Sequence, residues 1–159
     1  MIRMLDKSEF ECFFELMGEV ELGKHFRPDD AKHVAWLNRK IDRYFYIGAK
    51  FFGLFLDDNT PAGFTSLLIN EKLFCPNNAE ILDIGVFPKF RGQGFGSELF
   101  KYAEKLAQGA SVYCLFSRTY AADYKVLSFY GRNGYVPVAV MPDLNGPNDE
   151  GEIFVRKLL

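Results

Sequence analysis

The sequence predicts a mixed α/β fold in a single domain covering residues 1–159. Three observations point that way. Short extended runs alternate along the chain with stretches whose apolar residues recur at helical spacing. The run AEILDIGVF is apolar enough for a strand near the middle of a sheet. A length of 159 residues suits one domain and can bury a sizeable core.

The opening IRML reads as a short strand. Asp6 and Glu9 follow in a capping-box pattern, ahead of a helix that carries Phe10, Phe13, Phe14 and Met17 on one face. Pro28-Asp29-Asp30 introduces a second helix with Val34, Leu37 and Ile41 on its inner side. Two extended stretches come next, Tyr44–Leu56 and Ala62–Asn70, joined by the turn-like Asp57-Asp58-Asn59-Thr60-Pro61 as a hairpin. Cys75-Pro76-Asn77-Asn78 reads as a loop before the AEILDIGVF strand. A third helix aligns Phe95, Leu99, Ala103 and Leu106, and Gln108-Gly109 ends it. Ser111–Phe116 is then a strand, and Tyr124–Asn133 a helix closed by Gly134 just past its C-cap. Val136–Val140 and Glu152–Leu158 finish as strands around the polar loop PDLNGPNDEG. There is no internal repeat, linker or low-complexity tract.

Composition narrows the function. A formal charge of −2 offers no global field for DNA or RNA, so no nucleic-acid partner is expected. No apolar run approaches the roughly 18 residues that span a membrane. MIRMLDKSEF is charged too early for a signal peptide. Cys12, Cys75 and Cys114 form neither a CxxC pair nor a disulfide framework, which suits a reducing cytoplasm. No His/Cys/Asp cluster has metal-ligand spacing. The 17 phenylalanines must line a core or a pocket.

The stretch FPKFRGQGFGSELFKYAEKL places Gly92, Gly94 and Gly96 at alternate positions where a helix begins. A helix start exposes unpaired N–H groups and the positive end of the helix dipole, and phosphate binds there if side chains leave room. Arg91 adds a charged fork of donors. The spacing alone fits a pyrophosphate cradle and a flexible strand-to-helix turn equally well. Nucleotide motifs fit poorly. A P-loop needs Gly-Lys-Ser/Thr, but Gly96 is followed by Ser97-Glu98. The Rossmann fingerprint fails because its third glycine comes one residue early and the next strand ends Phe116-Ser117-Arg118.

Arg91-x-x-Gly94-x-Gly96, preceded by Val86, Pro88 and Phe90, resembles the acetyl-CoA motif of the GNAT family of N-acetyltransferases. Phe129-Tyr130, three residues and Gly134-Tyr135 resemble that family's second signature, and the resemblance runs from about Ala79 to Tyr135. It implies a mixed, mostly antiparallel sheet of six or seven strands flanked by about four helices. Two central strands would splay to form the acetyl-CoA cleft. By that resemblance Ile84, Gly85 and Val86 hold the pantetheine arm. Arg91, Gly92, Gln93, Gly94, Phe95, Gly96 and Ser97 hold the pyrophosphate, and the cofactor is acetyl-CoA.

The implied chemistry is direct transfer of acetyl to an amine, which needs a base for the amine and a proton for the departing thiolate. The family pattern makes Tyr130 the donor; the plainer reading is a packing aromatic on a helix. Asp83, three residues before Val86, is a candidate base whose pKa burial would raise. It could equally serve only to satisfy a backbone N–H or pair with a lysine. Glu80 lies on the same strand but faces the other way by alternation; Glu71 and a water relay are further alternatives. Where the family often has an asparagine that bonds pantetheine, this chain has Asp123, which can accept but not donate. His25 and His33 lie outside the motifs and read as surface residues.

Two function classes follow. The first is an N-acetyltransferase acting on a primary amine of a small molecule or peptide. The second is a non-catalytic acyl-CoA-binding or sensing domain. The resemblance admits a homodimer. It also places the acceptor among the first two helices and the loops near 70–79 and 141–151. Phe13, Phe14, Phe26, Phe74, Asp143, Asp149 and Glu150 there suit a cationic amine with an apolar part, unless the acids are simply solvated loop residues.

Overall fold

A computed structural model describes all residues, 1–159. In chain order the elements are β1 (Ile2–Leu5), α1 (Phe14–Leu22), α2 (Ala31–Tyr46), β2 (Lys50–Phe55), β3 (Pro61–Asn70), β4 (Asn77–Val86), α3 (Phe95–Gly109), β5 (Val112–Tyr120), α4 (Tyr124–Arg132), β6 (Val136–Met141) and β7 (Glu152–Leu158). The strands form one sheet in the order β1-β2-β3-β4-β5-β7-β6. Pairing is antiparallel for β1–β2, β2–β3, β5–β7 and β6–β7, and parallel for β4–β5. β4 is central, as its apolar run requires. No helix is long and apolar enough to cross a membrane.

The boundaries differ from the sequence reading in three places. Tyr44–Tyr46 belongs to α2, not to a strand, because the helix continues with Phe45 stacked on Phe51 and Tyr44 tilted against the same ring. Asn77 and Asn78 belong to β4, not to a loop, since Asn77 pairs with Val112 and Asn78 with Cys114. β5 runs four residues beyond Phe116, to Tyr120, because β7 supplies partners as far as Glu152.

The chain divides into two compact units, Met1–Leu68 with Asp83–Ala103, and Ile69–Leu82 with Glu104–Leu159. The first explains the phenylalanines. Phe10, Phe13, Phe51, Phe55 and Phe64 are buried with Leu5, Leu16, Met17, Leu37 and Ile41 in one cluster. Phe10 lies 4.5 Å from the Phe51 ring and 5.2 Å, edge-on, from Phe64, a geometry that adds to plain area burial. The capping box forms as expected: Glu9 N–H donates to Asp6 Oδ1 and Asp6 N–H to Glu9 Oε2. It starts a short 3₁₀ turn, Glu9–Phe13, that hands over to α1. Asp30 caps α2 by accepting from Lys32 N–H.

In the second unit, α4 ends in a Schellman motif. Gly134 N–H donates to the Gly131 carbonyl and Tyr135 N–H to the Tyr130 carbonyl, with Gly134 at φ 84°. Lys157 Nζ donates to Glu104 Oε1 at 2.8 Å and to the Asn133 carbonyl at 3.0 Å, tying the helix end to β7. The left-handed φ makes the glycine a requirement of this turn. Gly134→Ala should therefore destabilise the protein by about 1–2 kcal/mol, read as a lower urea midpoint at unchanged m-value. An unchanged midpoint would mean that the turn relaxes without the left-handed residue.

Candidate active site

The glycine segment forms a sharp connection between β4 and α3. A 3₁₀ turn over Pro88–Phe90 is followed by Gly92 at φ 78° and Gly94 at φ 91°, conformations that side chains resist. A Cβ at either position would meet nothing within 4 Å, so the space above the backbone is open. The first helical bond of α3 is Glu98 N–H to the Gly94 carbonyl. The N–H groups of Phe95, Gly96 and Ser97 precede it and have no partner within the helix. Three donors, open space and the positive end of a 15-residue helix fit a pyrophosphate. Phe95 packs edge-on to Phe90 and Leu99 is fully buried, which fixes the helix start. Gln93 reaches back, donating to the Lys89 carbonyl at 3.4 Å.

Arg91 is engaged by protein. Its Nε donates to the Val86 carbonyl at 2.8 Å and its Nη2 to Glu19 Oε1 at 2.6 Å. The guanidinium thus pins the loop to the end of β4 and to α1. Ile84 and Val86 pack on the Leu54, Ala62 and Leu99 cluster, while Gly85 faces the opposite side. A Cβ on Gly85 would lie 2.8 Å from Val20 Cγ2, and one on Gly63 would lie 2.6 Å from the Gly85 carbonyl oxygen. Both glycines permit close backbone approach along β4.

Asp83 is buried on the face of β4 that carries Gly85. Its backbone N–H donates to Ser66 Oγ at 3.0 Å, and its carbonyl accepts from Thr65 Oγ1 at 3.2 Å. Ser66 Oγ lies 3.4 Å from Asp83 Oδ2. Burial pushes its carboxyl well above the usual carboxylate range, and a hydrogen bond with Glu21 and that residue's charge push it further. Lys40, which pairs with Glu21, opposes the shift. Lys40 Nζ itself lies 5.4 Å from the ring centres of Trp36 and Tyr44.

Tyr130 is buried on α4, and its hydroxyl lies 2.7 Å from Ser117 Oγ. Ser117 donates its one proton to the Ile81 carbonyl at 2.8 Å, so the phenol is the donor in the first bond. Asp123 is the N-cap of α4, accepting from Val126 N–H at 3.0 Å. Glu80 points to the face opposite Asp83, as alternation predicts, and sits near Arg118, which also lies 3.5 Å from Glu152. Burial raises the Glu80 pKa, opposed by Arg118. Glu71 is exposed in the loop after β3.

The acids expected near the acceptor are largely occupied in their own loop. Asp143 Oδ1 accepts from Asn148 N–H, and Asp149 Oδ2 accepts from Asn145 Nδ2 and Gly151 N–H. Phe13 is core, and Phe74 is 94% exposed. His25 is exposed, whereas His33 Nδ1 accepts from Arg27 N–H while its ring stacks near Phe26. Sequence reasoning missed Glu21, Lys40, Ser66 and Ser117. One signal was available: Glu21 falls four residues after Met17, placing an acid on the inner stripe of α1. Ser66 and Ser117 gave none, because their roles depend on strand register.

The model of the acetyltransferase (GNAT) family matches residues 8–135. A tRNA(Met) cytidine acetyltransferase of Saccharolobus solfataricus is 38% identical over 65 residues, 41% of this chain but 8% of that protein's length. The chain thus spans a small part of that relative. An acetyltransferase from Bacillus subtilis, solved in complex with CoA, superposes with a TM-score of 0.76 at 18% identity, covering 99% of this chain and 97% of that one. A GNAT family acetyltransferase from Elizabethkingia anophelis with acetyl-CoA bound gives 0.76 and 18%, covering 100% and 97%. With both motifs inside the matched residues and the fold shared along the chain, this protein belongs to the GNAT family of acetyltransferases.

Proposed function

We infer that this chain is an acetyl-CoA-dependent N-acetyltransferase that acetylates a primary amine of a small molecule or peptide, working as one catalytic domain. The observation that carries the reading is the cradle at the start of α3: two left-handed glycines, open space above them and three N–H groups ahead of the first helical bond. CoA or acetyl-CoA in the solved relatives supports the same cofactor here. That cofactor supplies the acetyl group as a thioester.

In this reading Gly92, Gly94, Gly96 and Ser97 hold the pyrophosphate through backbone donors, and Arg91 holds the loop in shape. Ile84, Gly85 and Val86 offer backbone to the pantetheine arm. Asp83 takes the proton that an ammonium must lose before its nitrogen can attack; its raised pKa makes it a stronger base than an exposed carboxylate. Tyr130 turns its O–H away from Ser117 Oγ, to which it otherwise donates, and gives that proton to the leaving sulfur. Asp123 acts through the α4 cap that places Tyr130. A panel of amines, polyamines, amino acids and peptides, followed by free-thiol release from acetyl-CoA, tests the activity. Tight CoA binding with no amine-stimulated release would favour a sensing domain instead.

Gly94→Val should weaken CoA binding about ten- to a hundredfold, the value of one or two charge-assisted hydrogen bonds. Affinity for pantetheine, which lacks the pyrophosphate, should hold. Calorimetry on the folded variant checks both; equal CoA affinity would move the cradle elsewhere.

Asp83→Asn should lower kcat/KM at least a hundredfold, within the usual range for a lost base, and abolish the acid limb that Asp83 sets. It should also stabilise the protein at alkaline pH. A carboxyl whose pKa is raised on folding contributes stability below its unfolded pKa and loses it as pH rises through the folded value. The variant removes that loss, so its Tm advantage should grow with pH. A constant Tm difference across the range would contradict the raised pKa.

Tyr130→Phe keeps the ring and removes the proton. A loss of roughly 10–100-fold in kcat is expected, toward the low end because a thiol is already a fair leaving group. The loss should shrink as pH rises. Ser117 loses a buried donor, so Tm should fall by the equivalent of about 1 kcal/mol. Full kcat in the variant would make Tyr130 a packing residue.

A further inference from the structure

The first unit also holds an open groove of about 650 Å³ between the last residue of α1 and the outer side of α2. Leu22, Ala35 and Trp36 give it an apolar floor, and Lys32, His33 and Arg39 are its polar members. No carboxylate lines it. Lys32, Trp36 and Arg39 fall at i, i+4 and i+7 of α2, so they share one face with the indole between the two cations. Trp36 is 37% exposed, and Lys40 Nζ braces it at 5.4 Å from the ring centre. Nearby acids are engaged elsewhere: Asp42 pairs with Lys7, Glu21 with Lys40, and Asp30 accepts from the Lys32 backbone N–H. Lys32 and Arg39 are left with no ion pair of their own. His33 accepts from the Arg27 N–H through Nδ1, which leaves Nε2 as a further donor.

Unneutralised positive charge on either side of an exposed indole selects an anionic occupant with an apolar part. Lys32 and Arg39 are seven residues apart, about 10 Å along the helix axis. An extended chain advances about 3.3 Å per residue, so acidic residues three apart match that spacing. A nucleic-acid strand fits less well, because its charge repeats without an apolar interval and Asp29, Asp30 and Asp42 flank the same helix. We propose that this groove docks an acidic peptide segment, with two acidic side chains on Lys32 and Arg39 and an apolar residue between them on Trp36. The site goes beyond acetyl transfer and does not depend on it. It is nevertheless joined to that region through four consecutive residues of α1. Glu19 bonds Arg91, Val20 lies against Gly85, Glu21 pairs with Lys40, and Leu22 lines the groove. A segment docked here therefore sits on the helix that holds the glycine loop.

Trp36 is the one tryptophan of the chain, so its emission reports on the groove directly. The probe is a tryptophan-free peptide with two glutamates three residues apart and a leucine between them, titrated into the full chain without CoA. Trp36 emission should shift saturably, and the affinity should fall as salt rises. Replacing the two glutamates by glutamines should weaken binding about tenfold, the worth of two exposed ion pairs. The double variant Lys32→Glu with Arg39→Glu should weaken the acidic peptide at least as much. A peptide with lysines in place of the glutamates should then bind that variant, a rescue that lost packing would not give. Tm and CoA affinity should hold in the variant, since both side chains are exposed. No saturable shift, or equal affinity in the charge-reversed variant, would overturn the site. So would binding seen by calorimetry that leaves Trp36 emission unchanged. An oligonucleotide that binds more tightly than the peptide, or an emission that shifts with protein concentration alone, would assign the groove to another occupant and overturn it too. Failure of the acetyl-transfer assay touches none of these readouts.

Discussion

The parallel ladder between β4 and β5 stops at Glu80↔Phe116, although β4 runs on to Val86 and β5 to Tyr120. Backbone groups released from a ladder inside a protein must find other partners. The Ile81 carbonyl takes the Ser117 hydroxyl, and Ser117 in turn takes the Tyr130 phenol. Two side chains thereby do what the ladder did one residue earlier. The position of α4 follows, since Tyr130 is its buried residue and the Schellman turn at Gly134 returns the chain from there. One interrupted strand pair thus fixes a hydroxyl chain and a helix.

A second constraint acts two residues further along β4, at Asp83. A buried acid is expensive, and the chain surrounds this one with a dense aromatic core that cannot easily collapse or open. Rings at 4.5–6 Å from one another hold the 3₁₀ turn before α1 against the sheet, Phe45 of α2 stacks on Phe51 at 4.7 Å, and α1 and α2 carry Glu21 and Lys40. The many phenylalanines have a mechanical consequence: they keep a charged cluster in place despite its cost. Costly buried charge is where local sequence rules are expected to break.

The legible parts were those set by local chemistry. The capping box at Asp6 and Glu9, the α4 stop at Gly134 and the inner stripes of α1 and α2 need only near neighbours in sequence. The glycine segment was legible as the start of a helix with an open backbone, but for an incomplete reason. The space at Gly92 and Gly94 is open, and their positive φ explains why nothing but glycine sits comfortably there. Nonlocal partners were not legible. Ser66 meets Asp83 across 17 positions and Arg91 meets Glu19 across 72. The length of β5 depended on β7, a strand that begins 32 residues after β5 ends when Glu152 is counted from Tyr120. Strand ends are decided by partners, not by propensity.

Arg91 makes its contacts with the protein itself. Its fork of donors suggested a direct grip on phosphate, yet two of its nitrogens bond Val86 and Glu19. A phosphate could recruit the guanidinium only in competition with a carboxylate already at 2.6 Å. Backbone N–H groups face no such competition, because the helix start leaves them without partners whatever the side chains do. In the proposed reading anion recognition would rest on main-chain donors, with the arginine tying the loop to β4 and α1. A cradle of that kind is insensitive to the identity of Gln93 and Phe95 at the level of hydrogen bonding, but not to a side chain at Gly92 or Gly94. The left-handed φ of Gly92 and Gly94 makes these two positions the ones least able to accept a side chain.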